Sequence, residues 1–280
     1  MSTKAKGTSV TQKLLALKDK AGVPFANIST AFLIERLVAR LVADKELRKS
    51  LVFKGGFVSM KVYASPRYTI DLDALLLKAN IKETLQQTKV AAEGDLDDGV
   101  WFRFEEQVDL QTQGEYGGFR QVYRAGIGPE LKNLKKAQIV NFDLGIGDPV
   151  TPGPTKATTE TLLSGEELSW SVYPIETMIA EKLHALISLG AANSRSKDVY
   201  DLSIFLPKAD PKTLASALER TFAFRVTELP KNIAGTISSL DTKALERGWK
   251  TAISTVQNAE EFGICFSHVV AQLVHLQKQF

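Results

Sequence analysis

The sequence predicts an α+β fold with a helical C-terminal half. Apolar residues recur at helical spacing as far as Arg48, and strand-like apolar or alternating segments follow between residues 51 and 144. Beyond residue 174 the periodicity is helical. Residues 149–156, with three prolines and one glycine, separate the two patterns. We therefore expect two domains: residues 1–150, a helical lead-in and a sheet-centred core, and residues 151–280, which are mainly helical.

The elements of the first domain follow from helix caps, glycines and apolar spacing. Ser29 and Thr30 offer a cap, and the helix that they open continues to Arg48. A short strand at 51–53 ends at a pair of glycines, and a brief helical segment comes next. The other elements expected here are a strand at 69–77, a helix at 80–93, and strands at 101–104, 119–125 and 137–144.

The second domain is expected to contain one short strand near residues 170–173 and then helices. Pro174 is suited to the first turn of a helix, which the spacing extends to Leu189. Four further helices are predicted at residues 196–206, 211–222, 241–257 and 260–278.

Composition excludes several classes of protein. A hydrophobic content of 44% with 24% charged residues is typical of a globular protein, and a net charge of +3 does not by itself indicate nucleic-acid binding. No apolar run reaches about 18 residues, so no membrane span is expected. The N-terminus lacks the apolar region of a secretory signal. Cys265, the only cysteine, suits a reducing cytoplasm and forms no zinc site with three scattered histidines.

Two carboxylates, Asp71 and Asp73, are the strongest indication of function. They are separated by one residue in a predicted strand, so both point to the same face. Two carboxylates this close repel each other unless a cation lies between them. Mg²⁺ is the natural cation, because it is commonly shared between one or two carboxylates and substrate phosphates. The alternative is a solvated strand face, although aspartate is disfavoured in strands.

Residues that suit phosphate binding flank this pair. Lys54-Gly55-Gly56 follows the preceding strand, and adjacent glycines let the backbone approach a ligand and direct N–H groups at phosphates. A plain turn is the alternative. Thr69 shares the face of the two carboxylates and can add a hydroxyl group. Arg67 either binds a phosphate or is solvated.

Asp143 is the third candidate carboxylate. It lies near the end of an apolar strand that runs into the turn at Gly145. A carboxylate in such surroundings needs a partner or a metal ion. Alternatively it caps the turn that follows, a role for which aspartate is well suited.

Lys182 lies within the apolar arc of the predicted helix at 174–189, between Met178 and Leu186. Its stem can pack while the ammonium group reaches water. Alternatively, the ammonium group binds a triphosphate as a point charge. His184 lies on the opposite, polar face and is expected at the surface.

A second pair of aspartates, Asp198 and Asp201, lies three residues apart on one predicted helical face. Asp198 can cap the helix or pair with Arg195, which would be a structural role. The same aspartates and Arg195 can instead serve a phosphate site together with Lys182.

These segments together resemble the AbiEii/AbiGii-like nucleotidyltransferase toxins of type IV toxin–antitoxin and phage-defence systems, the group that includes the MenT toxins. The match spans roughly residues 50–205. Two departures are a gap of fourteen residues between Gly-Gly and Asp-x-Asp, slightly longer than in the general signature, and Thr69 where the family often has serine. The segments that carry the resemblance, in family order, are Lys54–Gly56 with Thr69–Asp73, Asp143–Gly147, and Lys182–Ala185 with Arg195–Asp198.

The resemblance implies a polymerase-β-type nucleotidyltransferase sheet and a metal-dependent site. Asp71 and Asp73 would hold Mg²⁺, or Mn²⁺, against the phosphates of an NTP. Asp143 would complete the metal set or act as base toward the acceptor hydroxyl. Asp198 would orient Lys182 or contact the base. The residues implied to bind the substrate are Lys54, Gly55, Gly56, Arg67, Thr69, Lys182 and Arg195.

The family also implies partners. The acceptor is often transfer RNA, and a cognate antitoxin protein neutralises the toxin. Lys132, Lys135 and Lys136, on a predicted basic turn, could contact an RNA backbone. Two alternatives stay open: a nucleotidyltransferase that modifies a protein or a small molecule, and an inactive relative that binds RNA or a partner protein.

Overall fold

A computed structural model describes residues 2–77, 80–111, 117–190 and 193–280. These residues form seven strands and eleven α-helices. The strands are β1 (Leu51–Lys54), β2 (Asp71–Leu76), β3 (Val100–Gln111), β4 (Gly117–Ile127), β5 (Gln138–Ile146), β6 (Thr155–Glu160) and β7 (Glu167–Val172). The helices are α1 (Thr3–Ala21), α2 (Phe25–Ala43), α3 (Lys45–Ser50), α4 (Gly55–Lys61), α5 (Ile81–Glu93), α6 (Ile175–Leu189), α7 (Ser196–Phe205), α8 (Pro211–Phe224), α9 (Ile233–Ser238), α10 (Lys243–Ala252) and α11 (Phe262–Gln277).

The chain divides into two compact units. The first comprises Met1–Val62, Tyr68–Gly147 and Lys156–Val172. The second comprises Tyr63–Arg67, Asp148–Thr155 and Tyr173–Phe280. The first unit thus takes residues from both sides of the proline-rich segment at which the sequence predicted a boundary.

One mixed sheet of seven strands organises the first unit, in the order β3-β4-β5-β2-β1-β7-β6. Strands β3, β4 and β5 are antiparallel neighbours, β5 and β2 are parallel, β2 and β1 are antiparallel, and β1 and β7 are parallel. A mixed sheet accompanied by helices confirms the predicted α+β class.

The central strands differ in how their two faces are covered. Leu51, Val52 and Phe53 of β1 are all buried, which is expected of a strand covered on both faces. In β2, Leu72 is buried whereas Asp71 and Asp73 are half-buried. This alternation places the two carboxylates on one face of β2 and the apolar side chain on the other.

Helix α2 packs against α1, α5 and the sheet, and a buried ion pair links it to α4. The carboxylate of Glu35, on α2, is fully buried and accepts a hydrogen bond of 2.8 Å from the ammonium group of Lys61. It also accepts one from the backbone N–H of Leu162 at 2.9 Å. The short helix α4 is therefore anchored at its last residue.

Helices make up the second unit. Helix α6 packs on α8, while α7 packs on α10 and α11. In the described residues after Val172, every regular element is helical, as predicted. Among those parts of the chain for which the structure gives a conformation, no helix combines the length and apolar character needed to cross a membrane.

The helix start predicted at Ser29 and Thr30 is wrong, because α2 begins at Phe25 and both residues lie buried inside it. That helix also ends at Ala43, and α3 is a separate helix capped by Asp44.

Two further elements escaped sequence reasoning. Strand β6 has the sequence TKATTE, and its polar residues gave no apolar alternation to indicate a strand at the sheet edge. Helix α9 has only six residues and contains a glycine, so its helical spacing is too short to detect.

Candidate active site

Four charged residues form a row across four neighbouring strands of the sheet. Lys54 on β1 is in register with Asp73 on β2, and Asp73 is in register with Asp143 on β5. Asp143 is in register with Arg120 on β4. Residues in register project to the same face, and adjacent strands lie about 4.8 Å apart. We call Lys54, Asp73, Asp143 and Arg120 the aspartate row.

Asp71 lies beside this row, two residues before Asp73 on the same face of β2. It is in register with Asn141 of β5, whose side-chain amide donates a hydrogen bond of 2.9 Å to Oδ1 of Asp71. The amide fixes one oxygen of this carboxylate. Asn141 was not singled out by sequence reasoning, and only the pairing of β2 with β5 reveals its role.

Gly55 and Gly56, which the sequence placed in a turn, are the first two residues of α4 and lie directly against these groups; we call the point where β1 passes into α4 the glycine turn. Gly55 has a φ of 73°, and a Cβ atom there would collide with Oδ2 of Asp73. A Cβ atom on Gly56 would lie 2.7 Å from Oγ1 of Thr69. The Thr69 hydroxyl in turn donates to the backbone oxygen of Asp71 at 3.3 Å. Only glycine therefore lets the backbone approach the carboxylates this closely.

Asp143 is held by a residue that the sequence analysis missed. The guanidinium group of Arg120 donates from Nε to Oδ1 and from Nη2 to Oδ2, both at 2.7 Å. The side chain of Asp143 is 19% exposed and that of Arg120 36%. Asp143 thus binds Arg120 from within β5 instead of capping the turn. Nothing in the sequence indicates this pair, because the register of β4 on β5 creates it.

The same carboxylates keep Arg120 charged. Its hydrogen bonds to Asp143 raise the pKa of the guanidinium group, an effect larger than the opposing effect of burial. The charges of Asp143, Asp71 and Asp73 raise this pKa further. Arg120 is therefore a permanent cation within reach of all three aspartates.

The donor set of Asp71 and Asp73 suits a hard divalent cation. Mg²⁺ binds through one or two carboxylates and completes its shell with phosphate oxygens and water. Within residues 2–77, 80–111, 117–190 and 193–280, no group of three or more His, Cys, Asp or Glu side chains is arranged to hold a metal ion. Because Asp143 is engaged by Arg120, the two aspartates of β2 fit such a cation best.

The other predicted site residues lie in the second unit, in a buried network of ion pairs. The ammonium group of Lys182 donates to Oδ1 of Asp198 at 2.7 Å and to Oδ2 of Asp201 at 2.8 Å. Both carboxylates are 0% exposed. The alternative in which this ammonium group is simply solvated is therefore wrong.

Two arginines complete this network. Arg195 donates from Nε to the second oxygen of Asp198 at 2.6 Å. Arg67 binds both oxygens of Asp201, at 3.2 and 3.0 Å, so the alternative of a solvated Arg67 is also wrong. We call Lys182, Asp198, Asp201, Arg67 and Arg195 the buried ion network.

Charge pairing outweighs burial throughout the network. Burial opposes ionisation of Asp198, yet Lys182 and Arg195 lower its pKa to about 2. Burial likewise opposes the charge on Lys182, but Asp198 and Asp201 raise its pKa. Lys182 and Arg67 also lower the pKa of Asp201 against the effect of burial. All of these groups are therefore ionised at neutral pH.

The surface position predicted for His184 is wrong. Its ring is buried and meets the ring of Phe222 on α8 edge-on, with the ring centroids 4.9 Å apart. Burial and the charge of Arg225 lower its pKa to about 4. The sequence suggested exposure because the polar face of α6 is evident from its spacing, whereas the packing of α8 on that helix is not.

Comparison with known proteins identifies the family. The model of the family described as "Nucleotidyl transferase AbiEii toxin, Type IV TA system" matches residues 36–262. This chain belongs to that family. It is a nucleotidyltransferase, as the resemblance implied. No curated protein matches the sequence significantly.

Two solved structures are similar to the chain. A Helicobacter pylori protein described as a candidate nucleotidyltransferase has a TM-score of 0.53 at 17% identity, covering 88% of this chain and 92% of that one. JHP933 from Helicobacter pylori has a TM-score of 0.47 at 14% identity, covering 88% of this chain and 90% of that one. The first of these similarities supports the fold.

Proposed function

We propose that this AbiEii-family chain transfers the nucleoside monophosphate of an NTP to an RNA acceptor, with transfer RNA as the substrate. The reaction uses Mg²⁺, or Mn²⁺, and releases pyrophosphate. Transfer inhibits growth, as a toxin of a phage-defence system does, until a cognate antitoxin protein neutralises the enzyme. The observation that carries this proposal is the contact between the Gly55-Gly56 turn and the carboxylate side of β2.

The reaction forms one bond and breaks another. A hydroxyl oxygen of the acceptor attacks the α-phosphorus, the bond to pyrophosphate breaks, and the hydroxyl proton passes to a base. When bound, the divalent cation neutralises the charge of the phosphates and orients them for this displacement. Asp71 and Asp73 hold that cation, and Asn141 keeps Asp71 in position.

The glycine turn and Lys54 bind the triphosphate. Because Gly55 and Gly56 have no side chains, phosphate oxygens can approach the N–H groups of the turn closely, beside the proposed cation site at Asp73. Lys54, in register with Asp73, adds a positive charge on the same face of the sheet. Thr69 contributes a hydroxyl beside Gly56. Positioning and charge neutralisation of this kind supply most of the catalysis in phosphate chemistry.

Asp143 is the proposed base for the acceptor hydroxyl. Its register with Asp73 supports this role, because it places the two carboxylates on adjacent strands. The roles predicted for Lys182, Asp198, Arg67 and Arg195 in nucleotide binding stay predictions. What supports them is the family match, which extends over all four residues.

A basic turn before β5 supports an RNA acceptor. The three lysines that the sequence indicated, at positions 132, 135 and 136, are all exposed. Lysines on an exposed turn can neutralise phosphates of an RNA backbone without reading its sequence. We propose that this turn contacts the acceptor.

The proposal is tested by labelling. Purified protein is incubated with Mg²⁺, each α-labelled NTP in turn, and either transfer RNA, total RNA, protein extract or small-molecule extract. We expect label on transfer RNA with one NTP. Label confined to protein or small molecules would contradict the RNA acceptor, and no label with any NTP would contradict the proposal as a whole.

A matched pair of variants locates the activity. Asp73→Asn is expected to lower transfer by roughly 100-fold or more, because it removes a metal-binding carboxylate, while the fold is retained. Asp109→Asn alters an exposed aspartate on β3 of the same sheet and should leave transfer unchanged. Equal transfer by the Asp73 variant and the wild type would show that the aspartate row is not the site.

A further inference from the structure

We infer that Arg120 is a positioning residue: it neutralises Asp143 and keeps the affinity of the site for a divalent cation low until a nucleotide supplies further ligands. This inference rests on the proposed function, because it concerns the same carboxylates. The resemblance implies a metal set of Asp71, Asp73 and Asp143, and it assigns no role to Arg120.

The geometry of the pair supports a specific role. The two parallel hydrogen bonds at 2.7 Å engage both oxygens of Asp143, and each oxygen keeps a second lone pair for another partner. Fork-shaped pairs of this kind fix orientation as well as charge. Both side chains retain some exposure, so solvent and ions can reach the pair. Arg120 thus holds Asp143 in place without sealing it from ligands.

The balance of charge explains the effect on metal binding. The three aspartates, Asp71, Asp73 and Asp143, carry three negative charges. Lys54 and Arg120 add two positive charges on the same face, so these five residues have a net charge of −1. A net charge of −1 attracts a dication weakly. Removing the charge of Arg120 changes the net charge to −2, which strengthens the attraction by roughly tenfold in a half-exposed site.

The test is direct measurement of Mn²⁺ binding to the full chain without nucleotide, by electron paramagnetic resonance and calorimetry. Arg120→Gln is expected to lower the Mn²⁺ dissociation constant by roughly tenfold. Arg120→Lys restores the charge and should bind within about threefold of the wild type. A dissociation constant for Arg120→Gln within about twofold of the wild-type value would overturn the inference.

A second arginine on the same strand is the matched control. Arg124 forms a similar two-bond pair with Glu105, at 2.7 and 2.9 Å, four residues further along β4. Arg124→Gln removes an equivalent pair but not a charge that is bound to any of the three aspartates. It should leave Mn²⁺ affinity unchanged, and the same tightening in both variants would overturn the inference.

Removing both charges of the pair shows whether Asp143 serves only as the partner of Arg120 or already binds the metal. Arg120→Gln/Asp143→Asn keeps the net charge and leaves no charge unpaired, so it should fold and bind Mn²⁺ within about threefold of the wild type. Much weaker binding by this double variant would show that Asp143 is already a metal ligand, which would overturn the inference even if Arg120→Gln does not fold.

Asp73→Asn distinguishes a failure of the inference about Arg120 from a failure of the proposed function. If Asp73→Asn abolishes Mn²⁺ binding while Arg120→Gln has no effect, the metal site stands and only the role of Arg120 is refuted. If Asp73→Asn binds Mn²⁺ as the wild type does, the proposed metal site itself is wrong, and the inference is refuted with it.

Discussion

The aspartate row and the buried ion network both pair aspartates with cationic side chains, but at different depths. In the network, Asp198 and Asp201 are fully buried, and each has two cationic partners. In the row, the carboxylate of Asp143 is itself 19% exposed, and the neighbouring Asp73 lies against Gly55, which has no side chain. The cations do not make this difference, since Arg195 in the network is 50% exposed.

This difference separates carboxylates that stabilise the fold from carboxylates that can exchange partners. A fully buried ion pair holds its partners strongly, because neither charge can be left unpaired away from water. A half-exposed pair can release its partner to water or to a ligand at little cost. The same residue types therefore form pairs with fully buried carboxylates in one unit and a partly exposed pair in the other. Two experiments would break or sharpen this comparison, and a third tests the effect of burial on a titratable group outside both clusters.

The largest effect on stability is expected from Lys182→Ala. Removing this ammonium group leaves two buried carboxylates with one cationic partner each, which should lower the free energy of unfolding by about 3–5 kcal/mol. Urea denaturation measures this change. Lys49→Ala, which removes an exposed pair with Glu46, should cost less than about 0.5 kcal/mol. Similar small losses in both variants would contradict the structural role of the network.

Gly55→Ala should displace Asp73 in the aspartate row. The φ of 73° is unfavourable for alanine, and the new Cβ atom would push Asp73 away, so we expect a loss of about 1–3 kcal/mol of stability. Transfer should fall roughly tenfold or more, because Asp73, the proposed metal ligand, would be displaced, and a tenfold loss corresponds to about 1.4 kcal/mol in the transition state. Gly153→Ala is the control, since a Cβ atom there has no neighbour within 4 Å. Full activity in Gly55→Ala would contradict close approach at this turn.

The smallest effect on the free energy of unfolding is expected from the protonation of His184 as the pH falls. Its pKa is about 4 in the folded chain and near 6.5 in the unfolded chain, so between these values only the unfolded state binds the proton. The contribution of His184 is therefore complete above pH 6.5 and is lost as the pH falls toward 4. Between pH 6.5 and 5.5, His184→Gln should flatten this decline by on the order of 1 kcal/mol in thermal or urea unfolding.

The control for that experiment is His275→Gln, which removes an exposed histidine. Its stability should follow the wild-type dependence on pH between 6.5 and 4. A decline in His184→Gln as steep as in the wild type would show that burial of this ring does not govern its titration.

Local patterns predicted much of the fold and part of the candidate site. Period-two alternation placed Asp71 and Asp73 on one face, and paired glycines indicated a turn whose backbone a ligand can approach. That this turn lies against Asp73 became clear only from the structure. The apolar arc of α6 likewise placed Lys182 among packed side chains. The partners of these groups were not predictable, because Arg120 meets Asp143 from another strand and Arg67 meets Asp201 from 134 residues away.

The sequence by itself determined which residues share a face, where the chain turns at glycine, and to which family it belongs. The first two properties follow from the fixed geometry of strands and helices and of glycine, which acts over a few residues, and the third follows from the order of the motifs along the chain. Tertiary structure alone decided which cation each aspartate meets and how deeply each pair is buried. Strand register and helix packing join distant residues, and they arise from the burial of the whole core rather than from any local run of the chain.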